Sequence, residues 1–246
     1  MKQLNVNFLP SLMNPHETAG RTVIVIDVLR ASTTICFALD AGAKYVAPCL
    51  EVNEALNTAE RLTDQGETTL LGGERGGKRV PSFDLGNSPL EYTASRVGGR
   101  VVCFSTTNGT KAMMRCVGAG RVFVGTFVNL ASVLLAVEED DEVELLCAGT
   151  NGTITREDVL FAGAFVARAL EQDSAIGLND EARLARDAWG LLTVKDNALA
   201  TEFRETTGGK NLLALGYDRD LEVAAEIDCL NVVPELDLGD WQIRLR

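Results

Sequence analysis

Between Thr22 and Val28 the chain reads TVIVIDV, a β-branched apolar run closing on an acid. The next stretch, LRASTTICFALDAG, spaces its apolar residues as an amphipathic helix does, and Gly42 stands where such a helix stops. The order then repeats. KYVAPCL predicts a strand, VNEALNTAERLTDQG a helix ended by Gly66, and TTLLGG a strand running into the glycine-rich loop GGERGGKR. VPSFDLGNSPLEYT breaks the pattern with two Pro and a Gly, and a structureless stretch of that length predicts a functional loop or lid. GRVVCFSTTNGTKAMMRCVGAG, GRVFVGTFVNLASVLLAVEED and DEVELLCAGTNGTITREDVLFAGAFVARAL restore the strand, loop, helix order. From Asn179 to about Phe203 the chain reads helical, interrupted only by Gly190; a helix near Asp220 to Cys229 and two short strands, NVVPEL and WQIRLR, complete it.

Strands alternating with helices predict an α/β fold whose mainly parallel sheet is covered on both faces. No Ser/Gly/Pro linker or shift in composition divides the chain, so the expectation is one domain over 1–246, with the part from about residue 179 as a candidate C-terminal subdomain.

Charge narrows the partners. Thirty-five acidic against 23 basic side chains leave a net charge of −12, which repels nucleic acid and anionic lipid alike. A small anionic ligand is compatible with that field only where arginines, backbone N–H groups or a bound cation reverse it locally. No window has the length of uninterrupted apolar sequence a membrane span needs, and MKQLNVNFLPSLMNP lacks the order of a secretory signal, so a cytoplasmic protein is expected. The six cysteines are scattered through apolar runs without a CxxC pair, which argues for buried thiols rather than disulfides or structural zinc. A homodimer would be an ordinary assembly for such a chain.

Candidate chemistry gathers at the expected carboxyl ends of strands, where loops lead into helix N-termini that attract anions. The tetrapeptide TNGT occurs twice, at Thr107 and at Thr150, each time after an apolar run. Asn-Gly permits a turn with positive φ, and the Thr hydroxyls either cap a helix or hold a phosphoryl oxygen. Two neighbouring strand ends would then present similar turns to one shared pocket. IDVLRASTT sets Asp27, Arg30, Ser32, Thr33 and Thr34 around one strand end. A carboxylate there suits a divalent metal or attack on phosphorus, and a guanidinium suits a bidentate oxyanion contact; a surface ion pair beside an N-cap is the plain alternative. In GGERGGKR four glycines bracket Glu74 and Arg75, as a close backbone approach to a ligand requires, or as a solvated hairpin would. Glu157 and Asp158 open the helix after the second TNGT, either as dipole partners or as metal ligands or a general acid. His16 is the sole histidine and lies in a polar loop, so acid–base chemistry falls to carboxylates; a phosphomonoesterase built this way would use a metal and work on the acidic side of neutral.

Taken in order, IDVLRASTTI, LLGGERGGKR, FDLGNSPLEYT, FSTTNGTKAM and CAGTNGTITREDVLFAG resemble the 2-phosphosulfolactate phosphatase (ComB) family, from about Thr22 to Gly163, with a fainter likeness through LGYDRDLEVAAEIDCLNVVPEL. The resemblance implies an α/β/α sandwich with a mixed sheet and a Mg²⁺-dependent phosphatase that converts 2-phospho-3-sulfolactate to 3-sulfolactate and phosphate, a step toward coenzyme M. It implies a small anionic phosphorylated substrate held by Arg30, Ser32, Thr33, Arg75, Asn87, Ser88, the turn Ser105, Thr106, Thr107, Asn108, Gly109 and Thr110, and Asn151. Asp27 and Asp158 would be catalytic, and Asp27, Glu74 and Asp158 the metal ligands, with Lys78 or Lys111 as further cations. Relatives often carry Ser-x-His-Gly in the C-terminal third, where this chain reads ETTGGKNLLALGY. Position 29 is Leu, so the second acid of a DxD phosphatase motif is absent. Two other readings compete: a cysteine hydrolase of the isochorismatase type with Cys147 as nucleophile, and a sensor that binds a phospho-ligand without turnover.

Overall fold

The computed structural model describes residues 1–14, 18–192 and 198–246. The elements, in chain order, are β1 (Gln3–Asn7), β2 (Thr22–Ile26), α1 (Ala31–Asp40), β3 (Tyr45–Cys49), α2 (Val52–Asp64), β4 (Thr69–Arg75), β5 (Lys78–Arg79), α3 (Ala94–Val97), β6 (Val101–Ser105), α4 (Gly109–Met114), β7 (Arg121–Gly125), α5 (Leu130–Ala136), β8 (Glu142–Cys147), α6 (Arg156–Gln172), β9 (Gly177–Leu178), α7 (Asp180–Gly190), α8 (Ala198–Glu205), α9 (Thr207–Ala214), α10 (Asp218–Ala224), β10 (Pro234–Asp237) and β11 (Gln242–Leu245).

All the strands join one mixed sheet in the order β5-β4-β6-β3-β11-β10-β7-β2-β8-β1-β9. The blocks β4-β6-β3 and β7-β2-β8-β1-β9 are parallel within themselves, and the antiparallel pair β10-β11 is inserted between them. Side-chain alternation then assigns each strand residue to a layer. Ile24, Ile26, Phe123 and Leu145 face α5 to α10, where they meet Phe127, Phe161, Phe165 and Phe203. Val23, Val25, Val122, Val124, Val46, Val102 and Phe104 face α1 and α4. On the reverse of the β4-β6-β3 block, Ala47, Val101 and Cys103 cover themselves with Ala55, Ala59 and Leu62 of α2. The result is an α/β, three-layer sandwich on a mainly parallel, mixed sheet, as expected. Strands buried on both faces need continuous apolar runs, which is why TVIVI carries no polar alternation.

Local chemistry explains the ends. Gly42 and Gly66 take positive φ (84° and 89°) just past α1 and α2, and α2 begins in a capping box between Glu51 and Glu54. Of the two readings of GGERGGKR, the structure has the hairpin: β4 runs on to Arg75, turns at Gly76 and Gly77 (φ 61° and 82°), and returns as β5. Two sequence expectations need correction. The segment ETTGGKNLLALGY contains a helix that the sequence reading passed over, since Thr206 Oγ1 accepts from Gly209 N at 3.0 Å and caps α9. The helix α10 stops at Ala224, short of Cys229, and Asp228 beyond it has a φ of 57°. Among the described residues no helix is long and apolar enough to cross a membrane.

Candidate active site

Although β6 and β8 stand six steps apart in the sheet, the loops that follow them meet. Strand twist accumulates at each step, so the carboxyl ends of β2, β4, β6 and β8 converge on one cleft of about 370 Å³. Its lining includes Asp27, Arg30, Glu74, Asn87, Thr106, Thr107, Asn108 and Asn151, which were all expected there. The two TNGT copies touch directly: Asn151 N donates to Asn108 Oδ1 at 3.1 Å. They do so from different conformations and from strands that are not neighbours, contrary to expectation. The first copy enters α4 at Gly109, whereas the second forms a tight turn in which Thr150 and Thr153 exchange both backbone hydrogen bonds and Asn151 and Gly152 have positive φ (52° and 76°).

Asp27 follows β2 and is buried. Its backbone N–H donates to Ser32 Oγ at 2.9 Å, and a Cβ on Gly109 would lie 3.0 Å from its Oδ2. Burial, then the nearby charge of Glu74, then that of Glu157 push its carboxyl up to about 7. Glu74 is fixed by three donors: Thr107 N (3.0 Å) and Thr107 Oγ1 (2.9 Å) on Oε1, and Gly77 N (2.7 Å) on Oε2. Arg30 is 3% exposed; its Nη1 donates to Asp220 Oδ2 at 2.6 Å and its Nη2 to Gly77 O at 2.7 Å.

Several expected contacts fall elsewhere. Arg75 turns away from the cleft lining and donates to the carbonyls of Glu74 and Leu50 and to Ser105 Oγ (2.7, 2.9 and 2.9 Å), because neighbours on a strand point to opposite faces. Ser105 is thereby occupied as well. Ser32 and Thr33 are buried supports of the β2–α1 loop, the Thr33 hydroxyl donating to Val28 O at 2.8 Å. Ser88 donates to Asp220 Oδ1 at 2.6 Å instead of facing the cleft. Thr110 is buried inside α4, and Gly109 serves by letting α4 approach Asp27. Asp158 accepts from Val28 N (2.9 Å) and Gly149 N (3.1 Å), tying two loops together; burial, with Asp27 and Glu157 beside it, holds its carboxyl well above the usual range. Among the described residues no three acids, cysteines or histidines are grouped to share an ion, so the set Asp27, Glu74 and Asp158 is not assembled as one metal cage. Neither Lys78 nor Lys111 lines the cleft. His16 lies outside the described residues.

Sequence reasoning missed the opposite wall, formed by Thr207, Gly208, Asn211 and Leu212 of α9. Its signal was present in Thr-Thr-Gly-Gly ahead of an apolar run, a helix start with free N–H groups. Glu157 is 2% exposed, its carboxyl is raised first of all by burial, and its Oε2 is without a hydrogen-bond partner; a Cβ on Gly208 would lie 2.4 Å from its Oε1. Asn87 Oδ1 is likewise buried without a partner.

Cys147 is not among the residues that line the cleft. It is fully buried in the core, and burial, with Asp158 nearby, raises its thiol well above the normal value, which disfavours the reactive thiolate. Among the six cysteines only Cys229 is exposed. Iodoacetamide is therefore expected to label the native protein at Cys229 alone, read by peptide mass spectrometry, without loss of activity.

The model of the family described as 2-phosphosulpholactate phosphatase matches residues 7–239. A Symbiobacterium thermophilum protein named "Probable 2-phosphosulfolactate phosphatase" is 41% identical over 226 residues, covering 91% of this chain and 94% of that protein. A protein of the same name from Carboxydothermus hydrogenoformans is 37% identical over 245 residues, 98% of this chain and 96% of its own. Another from Thermotoga petrophila is 36% identical over 219 residues, 89% and 90% respectively. Matched from Asn7 to Gly239 and aligned with these relatives through almost their whole length, the chain belongs to the 2-phosphosulfolactate phosphatase family.

Proposed function

We propose that this protein is a Mg²⁺-dependent phosphatase that hydrolyses 2-phospho-3-sulfolactate, or a closely related small anionic phosphomonoester, to the free hydroxy acid and phosphate, a reaction of the coenzyme M biosynthesis type. Family membership supports the reaction class. The observation that carries the reading is the cleft itself: a buried carboxylate at a strand end, faced by a rim of uncharged donors and one arginine.

The residues fit a divalent cation. Burial first, and then the charge of Glu74, raise the Asp27 carboxyl to about 7, while the charge of Arg30 is already matched by Asp220. Magnesium takes one or two carboxylates together with water and substrate phosphate oxygens rather than an all-protein cage, so the lack of a three-acid group is no obstacle. Asp27 and Glu74 would hold it, and when bound it supplies Lewis-acid stabilisation of the phosphoryl charge.

The chain's own groups do the rest. Arg30 places a planar cation at the cleft, and Thr106, Asn108, Asn151, Thr207 and Asn211 offer neutral donors to the oxygens of an ester with several negative charges. Leu29 and Leu212 supply an apolar wall that limits bulk water. In the net step a bond forms from water oxygen to phosphorus, the ester P–O bond breaks, the water gives up one proton and the departing oxygen takes one, leaving the free hydroxyl. Leu29 occupies the place where a DxD phosphatase has its acid, so the proton comes from a different group.

Phosphate release from a panel of phosphomonoesters checks this. Release should be fastest with the sulfonate-bearing ester, vanish with EDTA and return with Mg²⁺. Release that ignores EDTA, or none from any ester, contradicts the proposal.

A further inference from the structure

Arg30 shares its cleft with two carboxylates, Asp27 and Glu74, yet its ion pair is with neither. It is drawn to Asp220, 190 positions along the chain, at the start of α10. The arrangement around that pair is elaborate for a mere tie. Asp220 Oδ2 accepts from Arg30 Nη1 at 2.6 Å while its Oδ1 accepts from Ser88 Oγ at 2.6 Å, and all three residues are at most 5% exposed. Tyr217, one turn earlier, lays its ring 4.3 Å from the guanidinium carbon, and Gly77 O accepts from Nη2. Two of the five guanidinium donors are thus fixed, its plane is fixed by the ring, and the group still borders the cleft.

An arginine stem is long and flexible, and a guanidinium placed beside two acids without another partner collapses onto them. Collapse would neutralise the carboxylates and fill the space a phosphoryl or sulfonate oxygen needs. We propose that Asp220, braced by Ser88 and assisted by Tyr217, is a positioning residue: it holds Arg30 off Asp27 and Glu74 and aims it at the anionic end of the substrate. The ligand class rests on the phosphatase reading above; the positioning rests on the geometry alone. It also gives α10, well downstream of the strand-end loops, a part in the site.

Asp220→Asn keeps the shape and removes the charge. The test compares wild type, D220N, R30A and the double variant for inorganic phosphate binding by calorimetry with Mg²⁺ present, and for KM and kcat on the ester. D220N should raise both Kd for phosphate and KM about tenfold or more, with kcat falling about threefold or less, and should add nothing to R30A. Wild-type phosphate affinity and KM in folded D220N, or losses that multiply in the double variant, overturn the proposal. Should D220N fail to fold, Ser88→Ala keeps both charges and removes only the brace: phosphate binding weakened about threefold supports the proposal, and unchanged binding overturns it. Because phosphate binding is read without turnover, an enzyme that binds phosphate normally but releases none from any ester refutes the phosphatase reading while leaving the role of Asp220 decided by the binding data.

Discussion

Replacing Asp27 with Asn is expected to reduce phosphate release at least ~1000-fold and, in the same protein, to stabilise the metal-free fold above neutral pH by about 4 kcal/mol. The first effect holds whether Asp27 attacks phosphorus or holds the cation, since a neutral amide is neither a competent nucleophile toward phosphorus nor an anionic ligand for the cation. The second has a definite sign. In the fold the Asp27 carboxyl is pushed up to about 7, chiefly by burial and then by Glu74. An unfolded chain loses that proton near pH 4, so between about pH 4 and pH 7 the folded state binds a proton the unfolded state does not. The contribution of Asp27 to wild-type stability therefore rises as pH falls through 7, reaches its limit near 4, and is flat above 7. The amide has no charge to bury and should lack this slope. Urea unfolding of wild type and D27N at pH 5 and pH 8, without metal, reads the difference directly. A loss of activity joined to a gain of stability marks a site held against its own electrostatics, and a purely structural Asp27 would give the opposite sign.

Gly73→Ala should cost on the order of 4 kcal/mol or prevent folding, and whatever protein survives should be inactive. Gly73 has a φ of 133°, where side chains are strained, and a Cβ there would lie 2.0 Å from the Ser105 carbonyl oxygen, a main-chain atom in the neighbouring strand. Relief requires β4 to part from β6, which moves Glu74 away from Thr107. The hairpin turn provides the contrast. Gly76 also has positive φ (61°), but nothing lies within 4 Å of its Cβ position, so Gly76→Asn should lower stability by about 1 kcal/mol or less. Chemical denaturation of both variants, with kcat measured on Gly73→Ala, separates steric exclusion from mere conformational preference.

Periodicity made the layers legible: TVIVI and the Ala55, Ala59, Leu62 stripe of α2 each announced their own environment. It failed where a segment was short or its partner distant. The N-terminal QLNVN does alternate, with Leu4 and Val6 buried, yet its place beside β8 depends on residues more than 130 positions away. At the site, residue types were readable and directions were not. Glu74 and Arg75 looked like a pair serving one ligand, but a strand sends adjacent side chains to opposite faces, so Glu74 meets the Thr107 loop while Arg75 fastens the carbonyls of Leu50 and Glu74. The resemblance makes Ser88 a ligand group, and Asp158, as an acid opening a helix, suits a metal ligand or general acid; Ser88 instead donates to the distant Asp220, and Asp158 accepts from Gly149 N nearby and from the distant Val28 N. The repeated TNGT shows the same limit. Its donors reach one cleft, while each copy takes its conformation from the segment it leads into, α4 for the first and a tight turn before α6 for the second.

The most direct measurement is an anomalous diffraction map from crystals soaked with Mn²⁺ and inorganic phosphate. The account predicts one strong metal peak against the Asp27 carboxylate, with Glu74 beside it and phosphate density between that peak and Arg30, bordered by Thr107 and Asn151. A metal bound away from Asp27, or phosphate seated outside this cleft, would contradict it.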